Sequence, residues 1–587
     1  MNDHPLRSRL ALGSLLVVSF LCCLPAADAP FTYDEHAGIE ENRVVHTGSA
    51  LGEALAYRYS PDQARPLFFA SLLMDADLWG MEPRGFRLTG FLLHLVCGAL
   101  LYLLLKRPPG TAPAALAGTA LFLLHPLQSE SVLYIWGRSE ILSTLFGLGA
   151  MLLALQAEGA RRGLLWAGAF ACMALGLASK EEAVIVPIIF IMWWGLVEGR
   201  PVRPGLAPAA VMAIPVAVFL AARAIGLGNI GRQVYVRSVA DNILGQGLVT
   251  LRMIRLLFLP FGQSVDHAAR VPGPIVGGLA FAACAAIVGG AAYFAGRAAS
   301  SRVAAGVLIA ALATVLYWLV PLPDLMCERR AYLPLAGGAL AVSGLVQRLR
   351  RRVYLPAALL VVLLAPAMVA RAYVWSDPRR LWGEAARLAP ENVRPLINLG
   401  VVAAEKGERD KALDLFTRAI RLEPRNAEAL FNRGKLHLDA GEHDQAIADL
   451  QGAIVAAPGM VRARINLAIA RIDVRDLDAA EAELRAALVI EPRNPRALTN
   501  LGEVLRATNR APEAVILYRQ ALDADPTYSH AAARLGVTLE NLGDRQGALA
   551  AYRVFLARGT TSPTDRDAVL KKVQSLEKAL GQAAPGR

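Results

Sequence analysis

The first 373 residues are dominated by apolar runs that approach the length of a membrane-spanning helix. A helix needs about 20 mostly apolar residues to cross the hydrocarbon core of a bilayer. The runs are 10–27, 87–105, 112–126, 139–157, 163–179, 183–198, 205–223, 272–296, 303–322, 332–347 and 353–373. The sequence therefore predicts a polytopic membrane domain over 1–373 with about eleven spans, which excludes a single soluble domain.

Basic residues alternate between the loops that join these runs. Short loops rich in Lys and Arg stay on the cytoplasmic side of a membrane. With a cytoplasmic N-terminus, every second loop is basic: Arg7, Arg9, Lys106, Arg107, Arg161, Arg162, Arg200, Arg203, Arg297, Arg302, Arg348, Arg350, Arg351 and Arg352. Because these residues hold most of the net charge of +12, we interpret the charge as a topology signal and not as nucleic-acid binding. We expect a bacterial inner-membrane protein whose C-terminal region lies on the outer, periplasmic side.

The first run has a second interpretation as a cleaved signal peptide. Arg7 and Arg9 precede the apolar stretch, and small residues follow it at 26–29. Both interpretations place the next segment on the outer side, so the expected orientation does not depend on the choice.

A 34-residue period dominates the rest of the chain. It is carried by prolines 390, 424, 458, 492 and 526, by alanines 412, 446, 480, 514 and 548, and by glycines 400, 434, 502 and 536. A period of 34 with a turn proline and small residues where two helices cross is typical of the tetratricopeptide repeat (TPR). The sequence predicts an all-α fold in which a TPR α-solenoid over 374–587 follows the membrane bundle. We expect five helix pairs over about 393–562, a half unit around Trp382 and a capping helix near 565–580.

Four asparagines occupy one phase of the repeat: Asn398, Asn432, Asn466 and Asn500. A carboxamide both donates and accepts hydrogen bonds, so a row of them can bind a peptide backbone of any sequence. The row resembles the asparagine ladder that holds acceptor peptides in soluble O-GlcNAc transferases. The alternative is that asparagine is simply tolerated at this position. We expect acceptor proteins to bind in the solenoid groove.

Ionisable residues gather in the predicted outer loops. Charged groups at a membrane face are costly to maintain, so they indicate a functional site. Arginines bind phosphate oxygens in a bidentate manner. The candidates from these loops are Asp34, Glu35, Arg65, His125, Glu130, Arg138, Lys180, Glu181, Arg329, Arg330 and Tyr332, with His94 in the adjoining run.

These residues occur in an ordered series of motifs: Tyr33-Asp34-Glu35, Arg65-Pro66-Leu67, His125-Pro126, Glu130-Ser131-Val132, Gly137-Arg138, Ser179-Lys180-Glu181 and Arg330-Ala331-Tyr332-Leu333-Pro334. The series, followed by TPRs, resembles the transmembrane and TPR-containing protein O-mannosyltransferase-like family over nearly the whole chain. That family belongs to the GT-C glycosyltransferases, which take a sugar from a polyprenyl-phosphate donor. The resemblance implies a GT-C-like bundle and transfer of mannose or a similar hexose to hydroxyl groups of exported proteins.

The resemblance also implies roles for individual residues. Asp34 corresponds to the catalytic base, with Glu35 beside it, and Arg330 corresponds to the arginine that faces the donor phosphate. Arg329 and Arg138 are further phosphate-binding candidates. The lipid-linked sugar is then a substrate and no cofactor or metal is expected. Attack by an acceptor hydroxyl in one displacement would invert the anomeric centre.

Three positions depart from the family pattern. Arg87 begins a stretch where the family often has His-x-x-Asn, which leaves only His94 of that patch. Gln128 replaces a second histidine, and the acid pair is Asp-Glu where the family has Asp-Asp. These departures affect the identity of the sugar more than the type of reaction. Two other functions remain open: a membrane-anchored TPR scaffold without catalysis, and glycosylation of an envelope glycolipid or polysaccharide.

Overall fold

The computed structural model describes residues 5–32, 35, 38–39, 45, 65–226, 237–297, 301–348, 354–557 and 563–582. Throughout these ranges the regular structure is helical and there is no strand, which confirms the all-α prediction. The chain divides into two compact units, Met1–Asn392 and Val393–Arg587. We call them the membrane unit and the repeat unit.

The membrane unit contains fifteen of the described α-helices. They are α1 (Pro5–Cys23), α2 (Pro66–Trp79), α3 (Pro83–Lys106), α4 (Ala112–Leu124), α5 (Ser129–Leu133), α6 (Arg138–Leu155), α7 (Arg162–Ser179), α8 (Val186–Met192), α9 (Val202–Gly226), α10 (Val239–Phe258), α11 (Pro274–Ala295), α12 (Ser301–Leu319), α13 (Tyr332–Arg348), α14 (Leu355–Trp375) and α15 (Pro378–Leu388). Short 3-10 turns join several of them and carry many of the candidate site residues.

Eight helices among the described residues are long and apolar enough to cross a membrane. The expectation of about eleven spans is therefore three too high by this measure. Helix α4 has 13 residues and α13 has 17, while the run 183–198 is divided into a 3-10 turn, α8 and a π-helical turn. A count of apolar residues cannot detect such breaks, since it measures composition and not helix continuity.

The centre of the membrane unit is built on close helix contacts. Every residue of α4 is buried, so this short helix is a core element. Helices α12 and α13 approach each other at Gly306 and Gly337, where a Cβ atom on either glycine would lie 2.5–2.6 Å from backbone atoms of the other helix. Small residues at such crossings let two backbones touch. This contact fixes the position of the turn that precedes α13.

The repeat unit has the five predicted helix pairs and a capping helix. The pairs are α16–α17 (Val393–Glu405, Arg409–Leu422), α18–α19 (Ala427–Asp439, His443–Ala456), α20–α21 (Val461–Asp473, Leu477–Ile490), α22–α23 (Pro495–Ala507, Ala511–Ala524) and α24–α25 (Ser529–Asn541, Arg545–Ala557), and the cap is α26 (Pro563–Gln582). Helix packing explains why glycine recurs at the same position of several repeats. A Cβ on Gly400, Gly502 or Gly536 would lie 2.4–2.5 Å from the ring of Phe416, Tyr518 or Tyr552 in the second helix of the same pair.

The boundary between the units lies at 392/393, whereas the sequence predicts it at 373/374. The difference is helix α15, the half unit around Trp382. Leu381 of α15 packs into the apolar core of the membrane unit, and Arg371 of α14 forms an ion pair with Glu384. These side-chain contacts, which no periodicity records, attach α15 to the membrane unit.

Candidate functional site

A chain of ion pairs and hydrogen bonds joins segments from three of the predicted outer loops and two of the apolar runs. Arg329, in the 3-10 turn Glu328–Ala331, donates from its backbone N–H to Glu130 Oε2 at 3.0 Å and from Nη1 to Glu130 Oε1 at 2.7 Å. Its Nε lies 3.8 Å from Glu140 Oε1. Lys180 Nζ contacts both Glu140 and Glu182, and the hydroxyl of Tyr317 donates to Glu182. We call Glu130, Arg329, Glu140, Lys180, Glu182 and Tyr317 the polar network.

Burial in the network shifts the pKa values of Glu130 and Glu182. Burial raises the pKa of Glu130, although Arg329 acts in the opposite direction. Burial also raises the pKa of Glu182 to about 7, with Lys180 opposing the shift and Glu140 adding to it. Desolvation disfavours the charged form of a carboxyl group. Both carboxyl groups are therefore easier to protonate than an exposed glutamate.

Arg330 lies beside the network and has N–H groups that make no hydrogen bond within the described residues. Its Nη1 donates to the carbonyl oxygens of Asp324 at 2.8 Å and Leu325 at 3.3 Å, and its guanidinium lies 5.0 Å from the ring centre of Tyr317. No carboxylate in the described part of the chain lies within ion-pair distance of it. Its Nε and Nη2 have no hydrogen-bond partner there and are not buried. Arg330 can thus bind an incoming anion, as its predicted role requires.

Glu328 fixes the same turn from the other side. It is 1% exposed and accepts hydrogen bonds from Ser264 N at 2.8 Å, His267 Nε2 at 2.8 Å and Gln263 Nε2 at 3.3 Å. The loop between α10 and α11 is therefore pinned to the turn that carries Arg329 and Arg330.

Glu35 is engaged within the fold. It is fully buried and contacts Arg87, with Oε2 at 3.2 Å from Nη2, and its Oε1 accepts from Ile135 N at 2.7 Å. Arg87 also donates to the carbonyl oxygens of Ala29, Pro30 and Leu133. Arg87, which lies where the family often has His-x-x-Asn, therefore attaches the first outer segment to the rest of the unit. These contacts leave the Glu35 carboxylate little capacity to accept a substrate proton.

Arg138 is also occupied, which weighs against its predicted role. Its side chain is 1% exposed and pairs with Asp75 at 2.5 Å, while Nη2 donates to Phe86 O at 2.6 Å. Thr89 donates to the other oxygen of Asp75 at 2.7 Å. A phosphate could reach Arg138 only by displacing a buried carboxylate.

The two buried histidines have structural contacts. His94 lies 2.8 Å from the Tyr332 hydroxyl and 3.2 Å from Leu123 O. Nε2 must carry the proton to donate to that carbonyl, so Nδ1 accepts from Tyr332. His125 accepts from Leu127 N and donates to Leu257 O at 3.0 Å, so it caps a turn. Burial lowers the pKa of His125 to about 4, which keeps it neutral.

Arg65 and Glu181 form a separate pair at 3.6 Å. Arg65 is the N-cap residue of α2, and Glu181 follows Lys180 of the polar network. This contact brings the end of the first outer loop next to the network. It places two more of the predicted pocket residues at the same face of the unit.

Asp34 lies outside the described residues, so its predicted role stays a prediction. Its neighbour Glu35 nevertheless marks where this segment enters the fold. Ser131 Oγ donates to Arg329 O at 3.2 Å, and Arg87, which pairs with Glu35, donates to Leu133 O at 2.9 Å. The Cα atoms of Ser131 and Leu133 are at most about 7 Å apart, because two residues separate no further. The first outer segment and the arginine turn therefore attach to one short segment around α5.

The asparagine row is not a uniform ladder. Asn398 donates to Arg394 O at 2.9 Å within its own helix. Asn466 is 2% exposed, and its Oδ1 accepts from Arg496 Nη2 of the next repeat at 2.7 Å. Asn432 and Asn500 are half-buried and make no side-chain hydrogen bond in the described structure. Only these two amides are thus available to a peptide without rearrangement.

The described residues contain no group of three or more His, Cys, Asp or Glu side chains that could hold a metal ion. An apolar cavity of about 30 Å³ lies between α3, α6, α8, α12 and α13. It is too small for a substrate, since about 10–15 Å³ of such a cavity holds one water molecule and ligand pockets have about 300–1,000 Å³.

Sequence reasoning did not single out Glu140, Glu182, Tyr317, Glu328 or His267. Glu140, Glu182 and Glu328 adjoin motif residues, and this proximity in the chain was the available signal. Tyr317 gave none, because it lies at the end of an apolar run. His267 lies outside the motifs, so its position in the sequence gave no signal either.

Comparison with known proteins gives the following similarities. The tetratricopeptide repeat family matches residues 397–461 and 465–529. Protein O-mannosyl-transferase F38B6.6 of Caenorhabditis elegans is 26% identical over 26% of this chain and 23% of its own length. Protein O-mannosyl-transferase TMTC3 of Homo sapiens is 24% identical over 27% of this chain and 18% of its own length. TMTC4 of Mus musculus is 27% identical over 31% of this chain and 28% of its own length.

The matched part therefore spans less than a third of each of these relatives. Among solved structures, the crystal structure of MamA is 22% identical, with a TM-score of 0.25 over 31% of this chain and 97% of that protein. The similarity to the TMTC protein O-mannosyl-transferases that the sequence motifs predict is confirmed.

Proposed function

We propose that this chain is an integral-membrane glycosyltransferase that transfers mannose or a similar hexose from a polyprenyl-phosphate donor to hydroxyl groups of exported proteins. The observation that carries the proposal is the gathering of Arg329, Arg330 and Lys180 in and beside the polar network. Cations at one face of a membrane unit suit a lipid-linked phosphate. The names of the relatives support the same activity.

In the proposed reaction, an acceptor hydroxyl attacks the anomeric carbon while Asp34 takes its proton. The bond between the anomeric carbon and the phosphate oxygen breaks, and the phosphate keeps the electron pair. Arg330 and Arg329 stabilise the charge that develops on this leaving group. A single displacement inverts the anomeric centre.

The repeat unit is proposed to recruit the acceptor on the periplasmic side of a bacterial inner membrane. Asn432 and Asn500 are the amides best placed to bind its backbone, with Asn398 and Asn466 available after a change of partner. Free carboxamides both donate and accept, so this contact does not depend on the acceptor sequence.

A membrane-anchored scaffold without catalysis is the second candidate. It is favoured by the occupied state of Glu35 and Arg138, which leaves fewer free groups than the motifs suggest. The two functions differ in what they require of Asp34.

The deciding experiment compares Asp34→Asn with Asp77→Asn, a control at an exposed acid of α2. A lost general base lowers the rate by about 10²–10⁴-fold. We expect Asp34→Asn to abolish hexose transfer and Asp77→Asn to retain it, measured by intact masses of periplasmic proteins at equal membrane levels. Unchanged glycosylation in Asp34→Asn, with partner proteins still co-purifying, would favour the scaffold. A hexose that appears only on envelope glycolipid would change the acceptor class.

A further inference from the structure

The hydrogen bond of His267 to Glu328 determines which of its ring nitrogens carries a hydrogen. Its Nε2 lies 2.8 Å from Glu328, whose carboxylate also accepts from Ser264 and Gln263. An ionised carboxylate only accepts hydrogen bonds, so Nε2 carries a hydrogen in the neutral and the charged ring alike. Nδ1 is then the atom whose state varies. It has no partner within the described ranges and is not buried, in a side chain that is 14% exposed.

The turn that binds His267 through Glu328 also carries open donors. Glu328 precedes Arg329 and Arg330 in one 3-10 turn. Arg329 uses its backbone N–H, Nη1 and Nε on carboxylates, which leaves Nη2 open, and Arg330 leaves Nε and Nη2 open. None of these open atoms is buried, and none has a hydrogen-bond partner where the structure is described. The two arginines of the turn therefore offer unused N–H groups, and His267 of the attached loop offers a third when its ring is doubly protonated.

The charges around these donors favour an anion. Arg329 is paired with Glu130, and a doubly protonated His267 would be paired with Glu328. Arg330 then remains as one positive charge without a carboxylate partner. A tetrahedral phosphate has several oxygens that can accept from donors on different sides, which suits an arrangement of two guanidinium groups and one imidazolium.

We propose that His267 is a phosphate-binding residue that completes the site of Arg329 and Arg330. Its Nε2 donates to Glu328 while Nδ1 donates to an oxygen of the lipid-linked phosphate. Glu328 acts as a positioning residue, since it holds His267 and the arginine turn together. The inference deepens the proposed function and rests on it for the identity of the ligand.

The test measures binding of farnesyl phosphate to the full-length protein in detergent, with farnesol as the probe that lacks the phosphate. The variants are His267→Ala and His267→Gln. A glutamine amide can still donate to Glu328, so the second variant keeps the loop attached while it removes the second donor nitrogen. The control is His437→Gln, which changes a comparable pair in the repeat unit, where His437 Nδ1 lies 2.6 Å from Glu442 Oε2.

A hydrogen bond to a charged group contributes about 1.5–3 kcal/mol, so its loss should weaken binding at least about tenfold. We expect both His267 variants to weaken farnesyl phosphate binding to this extent, and His437→Gln to bind as the parent does. Farnesol binding should be unchanged in all variants. Equal loss of both probes in His267→Ala, with parent-like binding in His267→Gln, would show a structural role and overturn the proposal. Parent-like phosphate binding in both variants would also overturn it.

The outcome is separable from the fate of the proposed function. Phosphate binding that depends on His267 in a protein that transfers no hexose would uphold this site and reject the transferase. Hexose transfer by the parent, together with phosphate binding indifferent to His267, would uphold the transferase and reject this site.

Discussion

Ion pairs occur within each of the two units, and individual pairs from the two units differ in burial and in the distance along the chain. In the membrane unit, Arg138 and Asp75 are 1% and 0% exposed, and Arg329 reaches Glu130 across 199 residues. In the repeat unit, Arg462 and Glu428 are each 50% exposed and lie 34 residues apart, the length of one repeat. Water can replace a partner in the second case and not in the first. The buried pair of Arg138 and Asp75 should therefore matter more for stability than the exposed pair of Arg462 and Glu428.

The sharpest test of this contrast is Arg138→Met. It leaves the Asp75 carboxylate buried without its cation, and such a loss typically costs about 3–5 kcal/mol. Burial already raises the pKa of Asp75, and Arg138 is the main opposing influence. We expect a large drop in the Tm of the membrane unit in detergent, whereas Arg462→Met should leave Tm unchanged. Equal effects of the two substitutions would contradict the contrast.

The repeat unit should instead respond to packing. In Gly502→Ala the new Cβ would lie 2.5 Å from the ring of Tyr518, whereas the control Gly459→Ala meets nothing within 4 Å. Overpacking of this kind costs about 1–3 kcal/mol. Hydrogen exchange of the full-length protein should show faster exchange over 495–524 in the first variant only. Unchanged exchange would mean that the two helices separate at little cost.

The smallest expected effect concerns acid. The hydrogen bond from Lys572 lowers the pKa of Glu540 below its usual value of 4.5, with a second bond from Tyr552. A lowered carboxyl pKa stabilises the fold above the unfolded value, and this contribution disappears as pH falls through the folded value. Docking of α26 should weaken below about pH 4.5 by up to ~1 kcal/mol. Glu540→Gln should remove this dependence, measured by exchange of α26 amides, and a dependence that persists in the variant would assign it to other groups.

Much of the fold follows from periodicity. The 34-residue repeat predicts all five helix pairs and the cap, because each pair packs chiefly on its neighbours. The apolar runs likewise coincide with helices of the membrane unit. By helix length alone fewer spans qualify than expected, since α4, α8 and α13 have 13, 7 and 17 residues.

The sequence could predict which residues belong to the candidate site, but not which partners they bind. Motifs selected Arg329, Arg330, Glu130 and Lys180, and the structure joins or places all of them at the polar network. The same reasoning predicted that Arg138 binds phosphate, although in the structure its side chain forms a buried ion pair with Asp75. A motif identifies which residues occur together, but it does not state which charge each one faces.

The sequence by itself determined the helices, the repeat and the division of the chain into an apolar part and a polar part. These features depend on residues that are close in the chain, so a local pattern contains them. Only the tertiary structure decided which cations are free for a ligand and that α15 belongs with the membrane unit. Those outcomes depend on residues that are far apart in the sequence. A buried charge can pair only with a group that the packing of the helices places beside it, because water cannot reach it.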